Sequence, residues 1–135
     1  MKNINENNTD VNINAEENYT TNAKPFAFGQ VVVTRGIADL MVGLPDVILI
    51  PYLMRHALGD WGDVCIEDKI ANDEATHNGK RVLSAYQLFG QKIWIITEWD
   101  RSATTILKVR KVKVSLPLKE RAKSKVIQLV VIGLW

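Results

Sequence analysis

The chain has 135 residues, 47% hydrophobic and 24% charged, which is enough apolar material for one domain and too little length for two. No run approaches the roughly 18 apolar residues of a membrane span, the first 24 residues hold no apolar signal-peptide core, and a lone cysteine, Cys65, excludes an intramolecular disulfide. The net charge of +2 divides unevenly: residues 1–107 carry 9 Lys/Arg against 14 Asp/Glu, a net of −5, whereas residues 108–135 carry 8 against 1, a net of +7. Together these features point to a cytoplasmic protein, with either a basic tail that meets an anionic partner or an acidic body neutralised by its own tail.

Residues 1–24 contain eight Asn and only scattered apolar positions. They cannot bury enough apolar area to offset the backbone ordering cost of about 1–2 kcal/mol per residue, so a disordered leader is expected, with the folded part entered at Pro25. Residues 28–33 read as a strand through the stiff run Val31, Val32 and Val33. Thr34 is a candidate N-cap for a short helix over 36–41, stopped by Gly43. Pro51 is tolerated only in a first helical turn, so the next helix is expected over 51–58, closed by Gly59.

A longer helix is expected over 64–77, with Asp63 as N-cap, Glu67 and Asp68 near the positive helix end, and Val64, Ile70, Ala71 and Ala75 facing inward. Gly79 would supply its left-handed stop. Residues 81–88 and 92–98 read as a β-hairpin around Phe89-Gly90-Gln91, and 103–109 as a further strand after a turn at Asp100-Arg101-Ser102. Beyond it, periodicity leaves a strand and a helix both open for the apolar end of the chain. The expected fold class is α+β: a small, mainly antiparallel sheet of three to four strands covered by two or three helices.

Neither the phosphate-cradling P-loop nor a G-x-G-x-x-G turn nor a G-x-S-x-G nucleophile elbow occurs. His56, Asp60, Asp63, Cys65 and His77 lack the paired Cys/His spacing of a structural zinc site, so no metal and no cofactor are expected. Cys65 reads as a small buried hydrophobe. Two segments carry candidate binding residues. The glycines around Asp60 and Trp61 force a tight corner, where Trp61 serves either as a docking anchor with Asp60 and Asp63 as polar contacts, or as a core plug between two capping carboxylates. Glu98, Asp100, Arg101 and Ser102 offer a carboxylate pair beside a cation, which suits either partner recognition or acid/base hydrolysis. In the basic extension, Lys108, Arg110, Lys111, Lys113, Lys119, Arg121, Lys123 and Lys125 could track a phosphate backbone, though without interleaved aromatics.

The strings Arg55-His56-Ala57-Leu58-Gly59-Asp60-Trp61-Gly62-Asp63 and Ile93-Trp94-Ile95-Ile96-Thr97-Glu98-Trp99-Asp100-Arg101-Ser102-Ala103-Thr104-Thr105, with Gly29-Gln30-Val31-Val32, Glu67-Asp68, Asn72 and Arg81-Val82-Leu83-Ser84-Ala85-Tyr86, resemble a family of small bacterial plasmid-related or mobile-element proteins. Some members carry a restriction-endonuclease-subunit label; no methyltransferase or nuclease pattern accompanies it here. The resemblance spans residues 28–107 and implies a genomic setting rather than a mechanism. Family members end soon after the strand matching 104–107, whereas here a basic 28-residue extension follows. The expected function is that of a non-enzymatic cytoplasmic binding protein, an accessory or anti-defence factor of a mobile element, with a protein partner at the two segments above. The alternatives are nucleic-acid contact through the extension and a small hydrolase using Glu98 and Asp100.

Overall fold

Four runs rich in Val, Ile and Thr, side chains that suit a pleated half-buried surface, pair into one mixed sheet: β1 (Gln30–Val33), β2 (Val82–Leu88), β3 (Gln91–Thr97) and β4 (Ala103–Lys108). The computed structural model describes residues 16–110. Spatial order is β1-β4-β3-β2. Strands β2, β3 and β4 form an antiparallel meander in which Ser84 faces Ile95 and Ile95 faces Ile106. The β2–β3 hairpin closes through Phe89 and Gly90, both at positive φ (50° and 75°), the requirement of a two-residue turn that matches strand twist. At the other end of the sheet β1 pairs parallel to β4, from Gln30 beside Ala103 to Val33 beside Ile106.

Between β1 and β2 the chain builds its helices: α1 (Arg35–Leu40), a 3-10 turn (Asp46–Leu49), α2 (Ile50–Ala57) and α3 (Ile66–Asn78). Pro51 sits in the first turn of α2, where its missing N–H has no intrahelical acceptor to forfeit. Side-chain alternation sends Tyr86, Leu88, Ile93, Ile95 and Ile106 to one face of the sheet, where they pack with Ile37, Met41 and Leu49. A second cluster of Trp61, Ala75 and Val82, with Phe26 and Val64 against it, joins α3 to the end of β2. The α+β architecture is as expected; the parallel β1–β4 pairing makes the sheet mixed.

Helix α3 differs from its sequence reading. It starts after Cys65, which caps it in extended backbone, rather than at Asp63. Ile70 is 48% exposed, while Asn72, Asp73 and Ala75 are buried. The reason is hydrogen bonding. β2 is an edge strand, and Asn72 closes part of that edge by donating from Nδ2 to the Leu83 carbonyl (2.7 Å) and accepting the Leu83 N–H (3.0 Å). An edge left bare would be a template for unwanted pairing, so a polar helix face is turned inward. Cys65, expected inside, is exposed.

Residues 19–24, expected within the disordered leader, run along α3 instead. Tyr19 and Thr21 donate their hydroxyls to the Asp73 carboxylate (2.8 and 2.7 Å), the Lys24 N–H reaches Thr76 Oγ1 (2.9 Å), and His77 Nε2 meets the Asn22 carbonyl (2.9 Å). These bonds to the helix's polar side chains add to the packing of Tyr19 and Ala23 against the Trp61 cluster.

Candidate functional site

The corner between α2 and α3 is built from glycine geometry. Gly62 (φ +74°) lies so close to β2 that a Cβ would run into the Ala85 carbonyl and the Tyr86 ring. This approach lets the corner extend the sheet: the Ala85 N–H donates to Trp61 O (3.0 Å), and the Asp63 N–H to Ala85 O (2.8 Å). Trp61 is thereby driven inward to 1% exposure, and its indole N–H donates to Asp73 Oδ1 (2.9 Å). Trp61 is thus a core plug and not an exposed anchor. Asp60 stays at the surface, held by Arg55 (Nε to Oδ2, 2.6 Å) and by the Gly62 N–H (3.3 Å). The Arg55 hydrogen bond and charge keep the Asp60 carboxyl below its ordinary pKa. Arg55 also lies over the Tyr86 ring (4.5 Å), whose hydroxyl donates to Asp60 O (2.6 Å) and whose pKa burial pushes up to about 12. Asp63 is exposed beside this pair.

Beneath the corner lies a polar chain that no sequence motif announced. His56 is fully buried, with Nδ1 at 2.5 Å from Ser84 Oγ and Nε2 at 2.9 Å from Thr97 Oγ1. Thr97 Oγ1 is 2.8 Å from Thr104 Oγ1, which donates to the Phe28 carbonyl (2.8 Å). A carbonyl only accepts, so the order of donors runs back from it: Thr104 to Phe28, Thr97 to Thr104, His56 Nε2–H to Thr97, and Ser84 to the bare Nδ1. The network assigns a neutral Nε2–H tautomer. Burial, reinforced by the charge of Arg101, holds the His56 pKa down to about 3. Ser84, Thr97 and Thr104 are as inaccessible as the imidazole. The Ser–His pair therefore ties three strands and a helix together and offers substrate no approach. The only sequence signal was the alternation of Ser84, Thr97 and Thr104 with aliphatic residues on one sheet face.

The bend 98–102 is equally committed to structure. Arg101, at φ +58°, donates from Nη1 to the Lys80 and Glu98 carbonyls (2.6 and 3.0 Å) and from Nη2 to the Ala75 carbonyl (2.9 Å). Its cation sits at the negative end of α3, where it is favoured, and it is not set to clamp an anionic ligand or to pair with Asp60 or Asp63. Asp100 Oδ1 accepts the backbone N–H and hydroxyl of Ser102 (3.0 and 2.6 Å), an Asx-type turn that holds its pKa down. Glu98 pairs with Arg81 (3.0 Å). Each carboxylate thus has its own partner within the bend or on the neighbouring strand end. Phe26 links the two segments: its ring stacks on Trp61 (centroids 6.4 Å apart), stands edge-on to His56 (5.4 Å), and lies under Arg101 (5.5 Å). Corner and bend thus share one aromatic hub.

What the molecule shows to solvent is different. Trp99, at the crest of the bend, is 67% exposed. On α2 and its C-cap, Ile50, Met54 and Leu58 recur at helical spacing with exposures of 50, 54 and 69%, and Val47 continues the row at 63%. This apolar stripe ends at the Arg55–Asp60 pair. A helix one face of which is buried should be polar on the other; the residues were legible in the sequence, but their outward direction was not. Among the described residues no group of three His, Cys, Asp or Glu side chains could hold a metal, and no helix is long and apolar enough to cross a membrane. Of the basic candidates, Lys108 is half-buried at the end of β4 with its stem against Gly36, and Arg110 is exposed. Lys111, Lys113, Lys119, Arg121, Lys123 and Lys125 lie outside the described residues. No family model, curated protein or solved structure matches the chain.

Proposed function

We propose that this protein is a non-enzymatic binding protein that docks a protein partner on the apolar stripe of α2, with the Arg55–Asp60 pair and Asp63 as its polar rim. The observation that carries this reading is the row Val47, Ile50, Met54 and Leu58, each at least half exposed. Contiguous apolar surface of this kind marks interaction sites in soluble proteins, and an apolar centre beside charged groups is the ordinary anatomy of an interface. The complementary element would be an amphipathic helix or apolar groove of the partner. Trp99 offers a second anchor on a bend that Arg101 holds rigid, so its ordering cost on binding is already met. A cytoplasmic setting accords with the lone exposed Cys65, and the resemblance to plasmid-related proteins supports a role among accessory or anti-defence factors of a mobile element.

The test compares wild type with Met54→Glu and Leu58→Glu in pull-downs from the native host, followed by mass spectrometry. Both side chains are exposed, so the variants should keep the wild-type unfolding midpoint and lose the partner that wild type retains. Partner retention by both variants at wild-type yield removes the stripe as the docking surface. Retention of nucleic acid instead, abolished by salt, would favour contact through the basic extension.

A further inference from the structure

The apolar stripe on α2 is narrow, and the charge around it is of one sign. Val47, Ile50, Met54 and Leu58 follow one another at steps of three, four and four residues. A row one side chain wide is the seam that two paired helices share, not the broad floor of a groove. At the α-helical rise it is about 16 Å long, three turns of a partner helix. Its ends are acidic: Asp46 is exposed just before Val47, and Asp60 and Asp63 are exposed beyond Leu58. Arg55, the cation beside the row, is already held by Asp60 (2.6 Å). That hydrogen bond, with the charge of Asp63 adding to it, raises the Arg55 pKa.

The imbalance runs from the 3-10 turn to the end of α3. Residues 46–78 hold seven Asp/Glu against two Lys/Arg, Arg55 and Lys69. Lys69 is taken by Glu16 (2.7 Å), so both cations are matched. Asp46, Asp63, Glu67 and Asp68 make no ion pair among the described residues. Such a field draws in positive partners and disfavours like-charged ones. Two copies laid stripe to stripe would bring these carboxylates together, and nucleic acid or an anionic membrane would meet the same repulsion.

We infer that the occupant of the stripe is a cationic amphipathic helix of a partner protein, with one row of aliphatic side chains and Lys or Arg at both ends of that row. The assignment rests on the docking surface proposed above and adds the partner's chemistry to it. Apolar burial along Val47, Ile50, Met54 and Leu58 supplies affinity, whereas Asp46 at one end and Asp60 and Asp63 at the other reject acidic helices. These rim charges are exposed, so they act on encounter and on choice of partner more than on strength.

Fluorescence anisotropy with the full-length protein separates the charge preference from the stripe. The probes are three labelled amphipathic peptides that share one Leu row and carry Lys, Gln or Glu around it. At low salt the Lys peptide should bind roughly tenfold tighter than the Gln peptide, with the Glu peptide weaker still, and salt should narrow the gap. Asp46→Asn with Asp63→Asn should bring the Lys and Gln peptides to within about threefold of each other. Met54→Gln with Leu58→Gln leaves the charge unchanged and should lose all three. Equal affinity for the three peptides, or a Lys preference untouched by the Asn substitutions, overturns the cationic assignment and, where binding is lost in the Met54→Gln and Leu58→Gln protein, keeps the docking surface. A dimer in sedimentation that the same double substitution abolishes gives the stripe to a second copy and likewise overturns the assignment. Absence of binding by every peptide, or undiminished binding to the Met54→Gln and Leu58→Gln protein, overturns surface and assignment together.

Discussion

The corner at 59–63 and the bend at 98–102 look alike as sequence, each a tryptophan beside two carboxylates at a sharp reversal, and the fold uses them in opposite ways. Trp61 is 1% exposed and Trp99 is 67% exposed. The difference lies in what waits nearby. Trp61 has an acceptor, Asp73, for its indole N–H, and an aromatic wall of Phe26 and His56. At the bend the inward place is taken by Arg101, whose guanidinium satisfies three backbone carbonyls, so Trp99 is turned out. A tryptophan's role is thus set by whether the interior offers its N–H a partner, and not by the residues beside it.

If this contrast is right, Trp61→Ala should cost about 3–5 kcal/mol, from lost burial, a cavity and one hydrogen bond lost to Asp73; chemical denaturation reads it directly, and a loss below about 1 kcal/mol would break the contrast. Next comes the acidic limb of stability. His56, pressed against Trp61, has a folded pKa of about 3 and an unfolded one of 6.5. Between those values the unfolded state binds more protons, so stability should fall as pH drops through this window, by on the order of 5 kcal/mol in all, and stay level above it. Urea midpoints from pH 7 to pH 4 measure this, and the corresponding slope should be missing in His56→Gln.

Arg101→Met keeps the side chain's apolar stem and removes its donors. Losing charge-assisted bonds to half-buried carbonyls should cost about 1.5–3 kcal/mol, with faster amide exchange at the C-terminal turn of α3. An unchanged midpoint would mean that the bend holds itself. Smallest is Trp99→Ser, which should leave stability within about 0.5 kcal/mol of wild type and sharpen the comparison by affecting only partner retention.

Much of the fold was legible. Each of the four strands was expected within one or two residues of its observed limits, because β-branched runs bounded by Gly, Pro and Asp leave few alternatives. Helix α2 was legible from Pro51. The inward side of α3 was misread because apolar periodicity is blind to a polar stripe recruited for hydrogen bonding, and Asn72 and Asp73 face inward for Leu83, Tyr19, Thr21 and Trp61. The strap at 19–24 was missed for a related reason: apart from Tyr19 and Ala23 against the Trp61 cluster, its attachments are hydroxyl and backbone bonds, which leave no hydropathy signal.

The candidate site was legible as a list and not as an arrangement. Trp61 and Arg101 both meet the Phe26 ring, whereas Asp60 and Asp63 lie beside Tyr86 and Ala85 in the middle of β2. Most serve the fold, and the exposed apolar row that ends at Asp60 was not on the list.

Sequence alone determined the class of the protein, the strand and helix inventory and the tight turns, since these follow from local sterics and from side-chain periods of two and 3.6 residues. Tertiary structure alone decided which tryptophan is buried, which imidazole is locked neutral and which apolar stripe is left outside. Those outcomes depend on partners distant in the chain, such as Ser84 and Thr97 for His56 or Asp73 for Trp61, and a buried polar atom is decided by whether such a partner arrives.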